Sequence, residues 1–303
     1  MIRLPTRRLA ALAGLAIMVS VPAGRAVAGP ADLYYERTVM VVAGQRCALF
    51  TPELLAALAS AQLQARGAAL RAGAPVAQLD ATAERARARA EASGCGSADI
   101  RTAADRVRTA FRDYQQLKSL SYPGDFNQWI ADRTAPSPGL AVWRLVQSVR
   151  FGPDLMDFGM AQASGPPVLV ASAGFADGAR PYAARLVIRE VSLTPGPFLN
   201  PRAADARGRI PLPSRMPPRS AMRAFAAQTR TPSGRDLLPV GAKSAWVYRF
   251  PDAAVNALTG LDPREAVAVE FIFSGRTGDT VRTAYVEVGD FAAGRAFLHA
   301  PQR

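Results

Sequence analysis

The chain is short of the residues that most often carry chemistry. It has two cysteines, Cys47 and Cys95, two lysines, Lys118 and Lys243, and one histidine, His299. That set cannot supply the four nitrogen and sulfur ligands of a structural zinc site, so no metal is expected. A Ser–His–acid triad would have to use His299, which sits among the last few residues, where chains fray. No G-x-S-x-G occurs, because "VASAG" around Ser172 has Val170 where the first glycine should stand. Neither lysine follows a serine by three residues, and no G-x-x-x-x-G-K-[ST] is present. No cofactor is implied, and a protein that is not an enzyme is favoured. An acid pair of the glycosidase kind stays open as the alternative, a cell-envelope hydrolase, because carboxylates distant in sequence can meet in space.

Long apolar runs are equally scarce. The one at Leu9–Ala23 follows Arg3, Arg7 and Arg8 and precedes Ala26-Val27-Ala28, the positive, apolar and small-x-small order of a secretory signal peptide. It is shorter than the roughly 20 residues that span a bilayer. Residues 1–28 are therefore expected to be removed, which places the mature chain, from Gly29, in the periplasm or outside the cell. No later run is long enough to cross a membrane. In an oxidising compartment an even cysteine count favours a disulfide, so Cys47 and Cys95 are expected to form a clamp. Closing a loop of that length contributes about 4 kcal/mol in the chain-entropy picture.

The formal charge is +13, and the excess is almost wholly arginine. Guanidinium forks pair bidentately with phosphate and carboxylate, which suggests an anionic partner: an envelope protein, an acidic polymer or a lipid surface. A general preference for Arg and Ala codons would give the same composition, and the spacing does not separate the two readings. No aromatic-interleaved nucleic-acid motif accompanies the arginines.

Composition changes near the middle of the chain, and two domains are expected: a helical bundle at 29–160, clamped by Cys47–Cys95, and a β-rich, sandwich-like domain at 161–303, an α+β fold. In the first part Asp32 is a candidate N-cap for an opening helix, although Val39, Val41 and Val42 also suit a strand. Thr51, Pro52 and Glu53 start a clearer helix that Gly73 and Pro75 stop. A third runs over about 76–93, with Leu79, Ala83, Ala86 and Ala90 on a thin seam. The last is capped by Ser97 and carries Ile100, Ala104, Val107, Phe111 and Tyr114 on one stripe. The next stretch, to about residue 160, holds Trp129, Trp143, Phe151 and Phe158 among several prolines, and is expected to pack as short helices against the bundle or to line a groove. Asp154 and Asp157 within it fall short of a calcium ligand set.

In the second part "PVLVASAG", "YAARLVIREVSL", "SAWVYRF", "AVAVEFIF" and "TVRTAYVEV" are expected strands, and "PDAAVNALTG" and "DFAAGRAFL" short helices. The Pro/Arg-rich loop at 194–220 is the expected interaction site, with Arg202, Arg207, Arg209, Arg215 and Arg219 as its charge. The closing stretch resembles the end of exported bacterial proteins of the invasion-associated locus B type, through Asp252 to Leu258, Val267 to Phe273, Val281 to Val288 and Gly289 to Phe297. The resemblance covers less than a sixth of the chain, and the cysteines of that family have no match in this half. It implies an exported, non-catalytic, sandwich-like module.

Overall fold

The computed structural model describes residues 29–134, 139–194 and 196–299, so the expected signal peptide at 1–28 lies outside the described residues. Among the described residues, six α-helices and eleven strands in two antiparallel sheets make the fold α+β. Four helices come first: α1 (Pro30–Arg46), α2 (Pro52–Arg71), α3 (Val76–Ala92) and α4 (Ala98–Gln116). Thr51 Oγ1 and Ser97 Oγ accept the N–H groups of Leu54 and Ile100, so both expected caps are in place. Asp32 is not the N-cap of α1. Gly29 is, and the Asp32 carboxylate accepts its N–H from the third helical position.

The four helices bury small seams. Ala65, Ala69 and Leu70 of α2 meet Leu79 and Ala83 of α3 and Tyr34 of α1, while Ala43 meets Ala90 and Ile100. On α4 the expected stripe is buried only at Ile100 and Ala104, and Val107, Phe111 and Tyr114 are half-exposed. Val107 and Phe111 instead line an apolar groove of about 300 Å3 facing Leu54 and Leu58. Cys47, the residue after α1, is bridged to Cys95, between α3 and α4, with Cα atoms 5.5 Å apart. Arg46 reinforces the same corner by donating to Glu91 O at 2.7 Å and to Ser93 O, carbonyls at the open end of α3.

The helical segment is shorter than the expected 29–160. The stretch expected as short helices is four strands, β1 (Ser119–Pro123), β2 (Gln128–Asp132), β3 (Val142–Phe151) and β4 (Asp154–Gln162). Period-two burial explains the difference: Leu145, Gln147 and Val149 of β3 point inward and alternate with more exposed neighbours. Gly152, at φ +61°, and Pro153 form the two-residue turn that pairs Phe151 with Asp154. These strands continue through β5 (Val168–Gly174) to β9 (Trp246–Arg249) and β8 (Thr229–Pro232) in a seven-stranded sheet ordered β1-β2-β3-β4-β5-β9-β8. The second sheet is ordered β11-β10-β6-β7, from β6 (Ala183–Arg189), β7 (Met222–Ala226), β10 (Ala266–Phe273) and β11 (Thr280–Glu287). Leu145, Phe158 and Leu169 of the first sheet join Leu186, Val269, Phe271 and Val286 of the second in one buried cluster. Helices α5 (Asp252–Thr259) and α6 (Phe291–His299) complete it with Leu258, Phe291 and Phe297.

The helical segment docks on α6. Ser60 Oγ donates to Ala293 O at 2.8 Å, and Arg71 grips Asp290 with two hydrogen bonds of 3.0 and 2.8 Å. Gly67 leaves room for that carboxylate, since a Cβ there would stand 2.4 Å from Asp290 Oδ1. Among the described residues, no helix is long and apolar enough to cross a membrane.

Candidate functional site

The five arginines of the 194–220 loop divide into two groups. Arg215 is a buried anchor: it donates to Ile210 O at 2.7 Å, Arg264 O at 3.0 Å and Asp125 Oδ2 at 2.7 Å, and lies 3.8 Å from Glu287 Oε1. Arg209 pairs with Asp205, donates to Asp125 O at 3.2 Å and stacks 4.8 Å from the centre of the Phe126 ring. Arg202, Arg207 and Arg219 are exposed, and their side chains meet no hydrogen-bonding or ionic partner among the described residues. Sequence reasoning placed all five on the surface, but Arg215 fills an internal role. A buried guanidinium is tolerated when its donors are taken up, as they are here by two carbonyls and a carboxylate.

The anchor reaches into a well-ordered knot. Glu287, at the end of β11 and fully buried, accepts the backbone N–H groups of Asp125, Phe126 and Asn127 at 2.7, 3.0 and 3.2 Å. Trp129 Nε1 donates to Glu287 O and Val288 O. The 124–127 turn is thus fastened to β11 on one side and to the Pro/Arg loop on the other.

Beside this knot lies an open groove of about 950 Å3. Its walls are Phe126, the β3–β4 turn with Arg150 and Phe151, Pro211–Pro213 of the loop, and Tyr285. Trp129 and Phe158, also raised as groove residues, are core. Arg282 of β11 bridges two carboxylates in the groove, Asp154 at 3.1 Å and Asp177 at 2.5 Å, and lies over the Phe273 ring. The hydrogen bond from Arg282 holds the exposed Asp177 carboxyl down to about 2. Asp177 therefore offers no proton at neutral pH, and Asp154 is engaged by the same guanidinium and by the Ala176 N–H at 2.9 Å. An acid pair needs one partner kept protonated, and these two share a cation instead. Arg150 is exposed with no partner among the described residues.

Other candidates are separated by the fold. Asp154 and Asp157 point to opposite faces of β4, Asp157 toward Ser148 Oγ at 2.6 Å. Burial pushes the Asp157 carboxyl up. Ser172 Oγ has Ser233 Oγ as its partner, at 3.4 Å, and among the described residues His299, which ends α6, has no hydrogen bond to a serine or carboxylate. No group of three or more His, Cys, Asp or Glu residues placed to hold a metal occurs among the described residues. No protein-family model matches the chain, and neither does any curated protein or any solved structure.

Proposed function

We propose that the chain is an exported, non-enzymatic binding protein of two domains, a clamped helical bundle and a sandwich-like β domain, that engages an anionic envelope partner through the Pro/Arg-rich loop. One observation carries this reading. The loop is held from inside by Arg215 and Arg209, while the side chains of Arg202, Arg207 and Arg219 stay unpaired among the described residues, on the segment whose Pro211–Pro213 walls the 950 Å3 groove. Fixed backbone with free guanidinium groups lowers the ordering entropy that a partner must overcome, and the groove beside it adds Phe126, Phe151 and Tyr285 as contact surface. The order α5, β10, β11, α6 agrees with the locus B resemblance, which supports export and a non-catalytic role.

The test is binding of the intact chain to vesicles containing an anionic phospholipid and, separately, to a soluble acidic polysaccharide. Affinity for one of them should fall steeply between low and physiological salt, where the screening length is about 8 Å. It should also fall when Arg202, Arg207 and Arg219 are together replaced by Ser. Affinity indifferent to salt and to that triple substitution would reject the reading. Export is tested separately by intact mass: the mature form should begin at Gly29, and a chain retaining Met1 would contradict it.

A further inference from the structure

A second cavity, of about 530 Å3, opens where β2, β3 and β4 meet α5 and α6. Four arginines, Arg133, Arg144, Arg249 and Arg295, line it together with two aspartates, Asp132 and Asp252. The free charge comes from three separate elements. The exposed side chain of Arg249, at the end of β9, makes no hydrogen bond or ion pair among the described residues. Among the described residues the Arg295 side chain of α6 donates only to the neutral Thr259 hydroxyl, at 3.0 Å. Arg144 of β3 donates to Gln162 Oε1 at 2.6 Å and to the carbonyls of Asp132 and Thr134, leaving its charge unmatched by a carboxylate.

The backbone is shaped to deliver Arg144. The β3–β4 register shifts between Trp143 and Leu145, so Arg144 is the extra residue of a bulge, a device that re-aims a side chain. Just beyond the bulge, Gly159 pairs with Val146 and has φ +151°, and a Cβ there would come within 1.9 Å of Leu145 O. The close approach of β4 to Leu145 beside the bulge therefore requires a glycine at 159. Asp252, the first residue of α5, also lines the cleft, so its carboxylate offsets part of the arginine charge. Beneath the charges the wall is apolar, from Met160, Val168, Val255 and Leu298.

We propose that this cleft is a binding site for a small amphiphilic anion, with a phosphate or carboxylate head held by Arg144, Arg249 and Arg295 and a short apolar body on the Met160–Leu298 wall. Like charges gathered in a concavity repel one another, and an oxyanion that accepts from several guanidinium forks relieves that repulsion. The volume falls in the range of about 300–1,000 Å3 typical of small-molecule sites. The cleft does not share its lining with the groove beside the Pro/Arg loop, so the two sites fail or stand independently.

The experiment titrates the intact chain with hexyl phosphate, hexanoate and inorganic phosphate by calorimetry. Saturable binding of hexyl phosphate or hexanoate, stronger than that of inorganic phosphate, is expected, and which head binds tighter identifies the chemistry. Arg249→Gln removes an exposed, uncontacted side chain and leaves the fold intact; it should weaken that binding by about tenfold, as expected for one charge-assisted contact. Arg295→Gln should do the same. The loop variant lacking Arg202, Arg207 and Arg219 should bind as the parent does. Absence of saturable binding by either amphiphile, affinity unchanged in both cleft variants, or binding lost in the loop variant instead would overturn the assignment.

Discussion

The helices before Gln116 and the strands after Ser119 bury their side chains in contrasting ways. The strand-rich part has one continuous core, with Trp129, Phe158, Phe250, Phe271, Phe291 and Phe297 gathered from two sheets and α6. Among the described residues the helical part has three small clusters, and alanines such as Ala65, Ala69, Ala83 and Ala90 fill much of them. At about 25 cal/mol per Å2 of apolar surface, an alanine seam stabilises far less per residue than an aromatic layer. The helical part makes up the difference with fixed links: the Cys47–Cys95 bridge, Arg46 at the open end of α3, and Arg71–Asp290 at the junction with α6. Composition alone would rate both parts as ordinary globular chain. What separates them is residue size at the buried positions.

The largest effect should come from the strand-rich part. Arg189 and Glu265 form a buried bidentate pair, at 2.7 and 2.8 Å, and Arg189 also donates to Thr194 O. Glu265→Ala strands a buried guanidinium and should cost about 3–5 kcal/mol, read as a large fall in the chain's thermal transition. If this substitution left the transition in place, the continuous core would not be the cooperative unit described.

Next comes the clamp. Replacing both cysteines by Ser should cost about 2–4 kcal/mol in the helical part, seen as reduced helical circular dichroism on mild heating while near-ultraviolet signals from the aromatic core persist. Equal loss of both signals would erase the contrast.

A smaller effect is expected at the junction. Gly67→Ala puts a methyl group against the Asp290 carboxylate and should cost about 1–3 kcal/mol by overpacking. Protease cutting in the turns between helices should rise, with β10 and β11 untouched. A neutral Gly67→Ala would mean that α2 and α6 part easily.

The smallest concerns Asp157. Because burial raises its folded carboxyl above the unfolded value, its contribution to stability is full below about pH 3.9 and is lost as pH rises through the folded value. Asp157→Asn keeps an acceptor for Ser148 and should raise the transition temperature slightly at pH 7, the gain vanishing near about pH 3. A variant less stable than the parent at pH 7 would contradict the sign.

How far the sequence carried depended on the kind of signal. Thr51, Ser97, Gly73 and the β-branched runs at 168–174, 266–273 and 280–287 act locally, and the elements they imply are present. The disulfide followed from the expected compartment and an even cysteine count. Strands β1 to β4 were hidden because prolines and aromatics read as interruptions, although "FGPD" at 151–154 is a hairpin signal with glycine first in the turn. The inward role of Arg215 could not be read, since its partners Asp125, Arg264 and Glu287 lie far along the chain. The same holds for the cleft arginines on β3, β9 and α6, which only the fold brings together.

The central claim is that the helical part depends on its bridge while the strand-rich part stands on its own core. Hydrogen exchange of the intact chain, with and without a reductant, tests it most directly. Protection in α1, α3 and α4 should drop on reduction, most at the Cys47–Cys95 corner, while β4, β5, β10 and β11 keep theirs. Unchanged protection in the helices, or protection lost equally across both sheets, would contradict the account.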